Sequence, residues 1–424
     1  MKRLTSHASR LTLHAVRIAI DYTAAVGQGA GIGRYTRGLV GALADLDQQN
    51  RYTLLIAGGV PRGRALPSLS ERFSYRTIPF SDRLLTILWH RLRLPLYADL
   101  WAGGADLFHM PDFALPPLLS ARGLVTVHDL TFMHYPECAP TRLVSYLNQV
   151  VPRSVRRARL VLADSTSTKQ DLVTLLNVPA EKIRVVYAGV GPEFHRIADE
   201  AALAAVRARY GLDLPFILTL GTLEPRKNHL RLLEAFARVR RGTRDSSPAA
   251  GAHDLQSPLC DLRLVIAGGK GWLYDEVLAA VQRLGLQDRV VFPGFVADAD
   301  LPALYSLAAA FAYPSLYEGF GLPVLEALAC GTPVVCSNAS SLPEVAGDAA
   351  LLVDPVSVDN LTAALQRILN DAPLRQELAA RGPRQAARFT WSAAAGSLLA
   401  AYREAGAREA CDVGREVEVS VEGS

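Results

Sequence analysis

The stretch "AAAFAYPSLYEGFGLPVLEALACGTPVVCS" spans residues 308–337, and its reading decides the fold. The apolar run "AAAFAYPS" (308–315) reads as a buried strand that ends near Pro314. Pro323 suits the first turn of a helix, where its missing N–H is no loss. "LPVLEALAC" is therefore a helix, stopped at Gly331, and "LYEGFG" is the loop before it. "TPVVCS" (332–337) reads as the next strand. A strand, a crossover helix and a second strand form the repeating unit of a parallel sheet. Two carboxylates, Glu318 and Glu326, sit in this unit. On one continuous helix they would lie about 80° apart. Gly319, Gly321 and Pro323 exclude that helix. Glu318 belongs to the loop, and Glu326 stands one turn into the helix, facing the same space.

The same alternation runs along most of the chain. "VRIAID" (16–21), "RYTLLIAG" (51–58), "GLVTVHD" (123–129), "RLVLADS" (159–165) and "KIRVVYAG" (182–189) read as buried strands, and "RYTRGLVGALADL" (34–46) as a helix. The pattern restarts after "DEAALAAVRARYGLDLP" (199–215), with "FILTLGT" (216–222), "LRLVIAGG" (262–269) and "RVVFPGF" (289–295) as strands and "HLRLLEAFARVR" (229–240) as a helix. Two successive doubly wound α/β domains are expected, over 16–205 and 206–385. The "FTWSAAAGSLLAAYREA" helix (386–405 with its lead-in) follows and has the option of crossing back to the first domain. Residues 241–261 read as a flexible insertion, and 406–424 as a frayed tail. Ligands of such sheets bind beyond the carboxyl ends of the strands, so two facing domains make a cleft.

A chain of 424 residues, half of them apolar, fits two domains. The net charge of +4 asks for no nucleic-acid partner. Its distribution is uneven: residues 1–205 hold 24 Lys+Arg against 16 Asp+Glu, and the remainder 21 against 25. A basic first half suits an anionic ligand or an anionic membrane surface, or is simply a solvated arginine-rich face. Five cysteines without CxxC spacing read as reduced thiols, with neither a zinc site nor a disulfide framework. "MKRLTSHASRLTLHAV" lacks the apolar core of a secretory signal, and no run of 18 apolar residues is present. A cytoplasmic protein is expected, with peripheral contact at the inner face of the membrane as an option.

Four segments carry the chemistry. In the first, Gly319 and Gly321 let the backbone approach a ligand with its amides outward, and the helix start favours a phosphate. The competing reading makes Glu318 a solvated loop residue and Glu326 a complement to the helix dipole. In "LGTLEPRKNHLRLLEAF" (220–236), a strand ends at Gly221 and a loop presents Arg226 and Lys227 just before a helix. Two cations there form a diphosphate clamp, unless they are exposed charges beside Glu224. Asn228 is read as the helix N-cap. In "VTVHDLTFMHYPE" (125–137), His128 follows a buried strand at the carboxyl end of the first domain's sheet, and a structural histidine is the competing reading. Asp129 orients it or caps the next turn. His109, in "ADLFHMPDF" (105–113), is a cleft-lining candidate. In "QGAGIGRYTRGLV" (28–40), Gly29, Gly31 and Gly33 follow the first strand as a phosphate loop would. A dinucleotide oxidoreductase could claim that loop, but "YTLLIAGG" lacks the acidic residue such a site needs.

Together these segments resemble the retaining GT-B glycosyltransferases of family 4, also called group 1, over about residues 16–405 except the insertion. The stretch from Glu318 to Glu326 matches that family's E-x7-E signature. The resemblance implies an α/β, GT-B fold: two Rossmann-like doubly wound domains facing a central cleft. It implies that Arg226 and Lys227 hold the donor diphosphate, that Glu326 holds the ribose, and that Glu318 and His128 contact the donor sugar. The amides after Glu318, at Gly319, Phe320, Gly321 and Leu322, face the leaving group together with Gly221, and the Gly31 and Gly33 loop lies against phosphate and acceptor. Ser340, Ser341 and Glu344 fall near the base, while Arg34 and Tyr35 look family-like without an assigned role. No cofactor is implied, because the nucleoside-diphosphate sugar is a substrate, and no metal is required. "DAD" (298–300) is accordingly read as placing Asp300 at a helix N-cap and not as a metal site.

"DYTAAVGQGAGIGRYTRGLV" with "HDLTF" looks most like the mannosyltransferase-type subgroup, which favours GDP-mannose as donor. UDP-glucose and UDP-GlcNAc are the alternatives. The implied acceptor is a saccharide or lipid-linked saccharide in polysaccharide biosynthesis. A non-catalytic sugar-nucleotide-binding subunit would be expected to have lost part of this constellation. "RLLTILWHRLRLPLYADLW" (83–101) is amphipathic, read as a core-facing helix in preference to one lying on a membrane.

Overall fold

A computed structural model describes residues 15–29, 31–61, 63, 65–245 and 261–407. Most of the insertion (246–260) and the tail from 408 onward lie outside the described residues. The His229–Asp245 helix runs into the first residues of the insertion.

Two all-parallel sheets organise the chain. The first has seven strands: β1 (Arg17–Asp21), β2 (Arg51–Ala57), β3 (Phe73–Ile78), β4 (Leu107–Met110), β5 (Arg122–Val127), β6 (Leu160–Ala163) and β7 (Ile183–Val185), in the order β3-β2-β1-β4-β5-β6-β7. The second has six: β8 (Phe216–Leu220), β9 (Arg263–Ala267), β10 (Val290–Gly294), β11 (Ala310–Tyr313), β12 (Val334–Ser337) and β13 (Ala350–Val353), in the order β10-β9-β8-β11-β12-β13. In both, the order reverses beside the first strand, which is where a doubly wound sheet opens a crevice. Central strands such as β4, β6, β11 and β12 are buried at every residue, as sheets covered on both faces require. β3 escapes a reading for continuous apolar runs, and β13 is a short apolar run that the sequence reading does not single out. They are edge strands of mixed burial, and β3 carries polar residues at exposed positions.

The two sheets are tied at their ends. The Glu200–Tyr210 helix packs on the Leu301–Leu307 helix of the second sheet, so the boundary at 205 falls inside an element that belongs with the second domain. The Trp391–Gly406 helix packs on the Ile32–Leu46 helix and on β4 and β5 of the first domain. Gly38 makes that approach feasible: a Cβ there would lie 2.3 Å from the Trp391 indole.

The structure corrects several expectations. His109 does not line the cleft. It is fully buried on β4, between the Tyr402 hydroxyl at 2.8 Å and Thr126 Oγ1 at 2.9 Å. Burial, aided by the nearby His128, lowers its pKa to about 3. Residues 83–101 are not one helix. An Asp82–Thr86 turn passes into a π-helical Ile87–Arg91 turn, and a separate Ala98–Trp101 turn follows. Leu85 and Trp89 point into the core, while Leu84, Leu92, Leu94 and Leu100 stay exposed. Asp300 occupies the position before the Leu301–Leu307 helix but makes no capping bond; its carboxylate takes Arg209 and the Tyr210 hydroxyl. Asn228 has left-handed backbone geometry, φ 61°, and its side chain does not cap the helix. Its amide bridges the carbonyls of Pro314 and Pro355, at 2.9 and 2.7 Å, and so clips the clamp loop to the loop after β11.

Candidate active site

Strand ends and glycines place the second domain's half of the site. β8 ends at Leu220, and the chain passes through Gly221 and Glu224 into the Pro225–Lys227 turn. The Lys227 stem lies across Gly221, where a Cβ would come 3.2 Å from Lys227 Cε. Lys227 Nζ donates to the Tyr313 hydroxyl and to Glu318 Oε1, both at 2.7 Å. Arg226 donates to Glu318 Oε2 at 2.7 Å, to the Tyr317 carbonyl at 2.9 Å and to Glu224 Oε1 at 2.7 Å. Arg226, Lys227 and Glu318 thus form one buried cluster. Burial pushes the Glu318 carboxyl up, but the two cations outweigh it and hold its pKa at about 2. An ionised carboxylate therefore occupies the cations that the sequence assigns to a diphosphate.

The loop after Glu318 is set by its glycines. Gly321 has φ 107° and precedes the Leu322–Ala329 helix, so no side chain caps that helix. Gly319 faces the first domain closely enough that a Cβ would lie 2.0 Å from the His128 carbonyl oxygen. Among the described residues, the amides of Gly319, Phe320 and Gly321 make no donor bond. Ser341 Oγ ties the loop down through the carbonyls of Glu318 and Phe320, at 2.9 and 2.8 Å. The Phe320 ring itself packs on Tyr187 and Phe389, so only its backbone is available to a ligand. Leu322 opens the helix and borders the interdomain cavity.

Glu326 does not share the Glu318 cluster. It is 1 % exposed, accepts from the Tyr305 hydroxyl at 2.9 Å, and pairs with Arg34 of the first domain at 2.5 Å. Burial raises its pKa against the opposing pull of Arg34. Arg34 stands in the first turn of the Ile32–Leu46 helix, directly after the glycine loop. Gly31 has φ 54°, and a Cβ on Gly33 would meet the Gln28 carbonyl at 2.3 Å. Arg37 fixes this loop through the carbonyls of Ala25, Gln28 and Gly29. Gly29 lies against the exposed Phe295 ring of the second domain.

His128 follows β5 and is 9 % exposed. Its Nδ1 lies 2.6 Å from Asp164 Oδ2 and its Nε2 lies 3.0 Å from the Pro111 carbonyl. Neither partner can donate to it when Asp164 is ionised, so both ring nitrogens carry hydrogen. Burial opposes that charge, but Asp164 raises the pKa to about 9. The orienting carboxylate is thus Asp164, at the end of β6; Asp129 accepts from the Thr131 amide and caps the next turn. Asp164, Tyr313, Tyr305 and Arg34 are the site residues that sequence reasoning left without a role. Asp164 and Tyr313 do stand at strand carboxyl ends, the one signal that could have raised them.

The domains meet closely around these groups. The Glu344 carboxylate accepts the Thr166 and Ser167 amides, at 3.0 and 2.7 Å, and so caps the first domain's Thr166–Leu176 helix from the second domain. Tyr317 reaches Asp171, and Trp272 Nε1 donates to the Cys138 carbonyl at 2.6 Å. Between Arg34 and Glu326 a cavity of 290 Å³ remains, bordered by Gly191, Asp298 and Leu322. It lies at the small end for a ligand pocket, so a nucleotide sugar needs the domains to part.

Two facing parallel-sheet domains with a cation pair and a glycine-rich loop at the strand ends define the GT-B class of glycosyltransferase. Residues 204–385 match the family described as Glycosyl transferases group 1, and residues 29–194 match Glycosyltransferase Family 4. The chain is 35% identical to O-antigen chain mannosyltransferase B of Escherichia coli, over 70% of this chain and 74% of that protein. The fold is similar to that of sucrose-phosphate synthase from Thermosynechococcus elongatus, with TM-score 0.71, 23% identity and coverage of 92% and 98%. It is also similar to Anabaena HepE in complex with UDP and glucose, with TM-score 0.68, 18% identity and coverage of 92% and 100%. The chain belongs to the family 4, group 1 glycosyltransferases and is an enzyme of that class. No helix of the described residues is long and apolar enough to cross a membrane.

Proposed function

We propose that this enzyme transfers mannose from GDP-mannose, with retention of configuration, to a hydroxyl of a saccharide or lipid-linked saccharide during polysaccharide assembly. The observation that carries the reading is the buried cluster of Arg226, Lys227 and Glu318 beside free loop amides. A diphosphate is the ligand that matches it: two negative groups replace one carboxylate on two cations, and the amides of Gly319 to Gly321 take the remaining oxygens. These donors act where charge builds up as the diphosphate departs from an oxocarbenium-like sugar. The preference for mannose draws on the likeness to an O-antigen chain mannosyltransferase. Retention draws on the likeness to the retaining family 4 glycosyltransferases. With Glu326 engaged by the ribose and Glu318 placed at the donor sugar, neither carboxylate is assigned as nucleophile or base, and the departing phosphate accepts the acceptor's proton. Glu326 takes the ribose hydroxyls once Arg34 withdraws. The reading needs no metal ion, since Arg226 and Lys227 supply the charge.

A panel of nucleoside diphosphates and their sugars tests this by thermal stabilisation, with and without EDTA. GDP and GDP-mannose should stabilise the protein most, and EDTA should change nothing. A stronger response to UDP and UDP-glucose would transfer the reading to a UDP-sugar donor. Stabilisation by NAD(H) alone would overturn it.

A further inference from the structure

The loop after β9 reaches from the clamp to the opposite domain. Its base is braced on the clamp loop. The Leu223 amide donates to the Gly269 carbonyl at 3.0 Å, and Leu223 and Lys270 form an isolated parallel bridge. Gly268 and Gly271 permit this contact. A Cβ on the first would lie 2.0 Å from the Gly221 carbonyl oxygen, and one on the second 2.6 Å from Thr222 Cγ2. The tip carries Trp272, whose Nε1 donates to the Cys138 carbonyl of the first domain at 2.6 Å. Leu273, beside it, has left-handed backbone geometry, φ 57°, although its side chain is 62 % exposed. Cys138 lies at the rim of the clamp. Burial raises its thiol pKa, Glu137 adds to the rise, and Arg226 and Glu224 act on it across the cleft in opposite senses. The loop on the other side of Arg226 lands on the same stretch of the first domain. Tyr317, whose carbonyl accepts from Arg226, stacks its ring on His134 with centroids 4.9 Å apart, and its hydroxyl reaches Asp171.

We propose that Trp272 is a positioning residue for sugar transfer: it pins the loop after β9, and through it the clamp cations, to the first-domain segment 134–138 when the domains are closed. The inference rests on the reading of Arg226 and Lys227 as the diphosphate clamp. Its own domain holds the clamp loop from one side, through the Asn228 bridges to Pro314 and Pro355. Trp272 and Tyr317 hold it from the other side, and only while the domains meet. A donor enters an open cleft, where the Trp272 bond is absent, so donor affinity does not depend on it. Leaving-group charge develops after closure, when the bond is made, so turnover does depend on it. Small displacements of the cations from the departing phosphate then slow the reaction. An indole suits the task, because it spans the gap, donates one N–H and brings no charge to compete with the diphosphate. Lys270, the cation of this loop, is turned over the Tyr274 ring, 5.3 Å from its centroid. The left-handed Leu273 backbone, held without burial of its side chain, marks a loop shaped to aim its neighbour.

Two readouts on the full chain test this. Trp272→Phe keeps an aromatic ring and removes the N–H. Without nucleotide, amide exchange at Leu223 and Lys227 should rise about five- to tenfold in this variant, the change that loss of one neutral hydrogen bond brings. The kcat for GDP release from GDP-mannose, with water as acceptor, should fall by a similar factor. The GDP dissociation constant, from thermal titration, should stay within about twofold of the wild type. Gly271→Ala breaks the link at its other end, so the double variant should turn over no more slowly than the slower single variant. Unchanged exchange at Leu223 and Lys227 overturns the proposal. So do losses that multiply in the double variant. A loss of GDP affinity in Trp272→Phe as large as its loss of turnover also overturns it, because Trp272 would then be an ordinary ligand contact. Raised exchange in a protein that no nucleoside diphosphate stabilises keeps the link and removes the clamp reading.

Discussion

Glu318 and Glu326 leave the same short stretch of chain, yet one pairs inside its own domain and the other across the interface. Glu318 neutralises Arg226 and Lys227, which belong to the same domain. Glu326 neutralises Arg34, which belongs to the opposite domain. The difference lies in what a ligand must do to reach each carboxylate. Exchange of Glu318 for a diphosphate takes place on cations of one domain and breaks no interdomain ion pair. A ribose can reach Glu326 only after the interface has opened. On the proposed reading the clamp is a local exchange of anions, and the ribose site is coupled to the parting of the domains.

Substitutions on the two sides should separate these roles. The largest effect is expected for Lys227→Ala. It removes a cation from the position where leaving-group charge develops, and turnover should fall by about 10²–10³-fold with the circular dichroism unchanged. A rate equal to the wild type would break the assignment of the clamp. Next in size is Arg34→Ala, which leaves Glu326 buried with only the Tyr305 hydroxyl. An unfolding loss of about 3 kcal/mol is expected, at the low end for a broken buried pair, because Arg34 keeps 18% of its side chain exposed. Small-angle scattering should show a larger radius of gyration for this variant and no change for Glu318→Gln. If both variants scatter like the wild type, the interface is not held by this pair.

The smallest effect concerns pH. The His128 pKa is raised to about 9, above the ordinary histidine value. A raised folded pKa stabilises the fold fully below about 6.5, and this contribution is lost as pH rises through about 9. Wild-type stability should decline across that window, by at most about 3 kcal/mol. Asp164→Asn should lack that decline, and an identical pH profile in both would show that the dyad does not hold the charge.

Much of this was legible in the chain. The glycine and proline spacing of 316–323 placed the loop and the helix where they are found, because both residues act on the local backbone. Arg226 and Lys227 were legible for the same reason: a strand end, a short turn and a helix start leave little choice of position. The two histidines were not separable in this way. His109 and His128 end neighbouring strands with similar local sequence, but one meets Tyr402 from the terminal helix and the other meets Asp164 from β6. Those partners lie 293 and 36 residues away, so no local pattern could assign them. Asn228 and Asp300 likewise had good cap positions, and each was drawn to a distant partner instead.

The sequence by itself determined two parallel-sheet domains, the family, and a cation pair beside a glycine-rich loop. Periodicity, turn chemistry and spacing are local properties, and they survive without knowledge of the packing. Only the tertiary structure decided which charge meets which. It gave Glu318 to the clamp, Glu326 to Arg34, Asp164 to His128 and Glu344 to the opposite helix. Among the described residues, it also left Arg91, Arg93, Arg142, Arg153 and Arg156 of the first domain without a salt bridge. The energy of a buried charge depends on what surrounds it in three dimensions, and that is set by contacts between residues far apart in the chain.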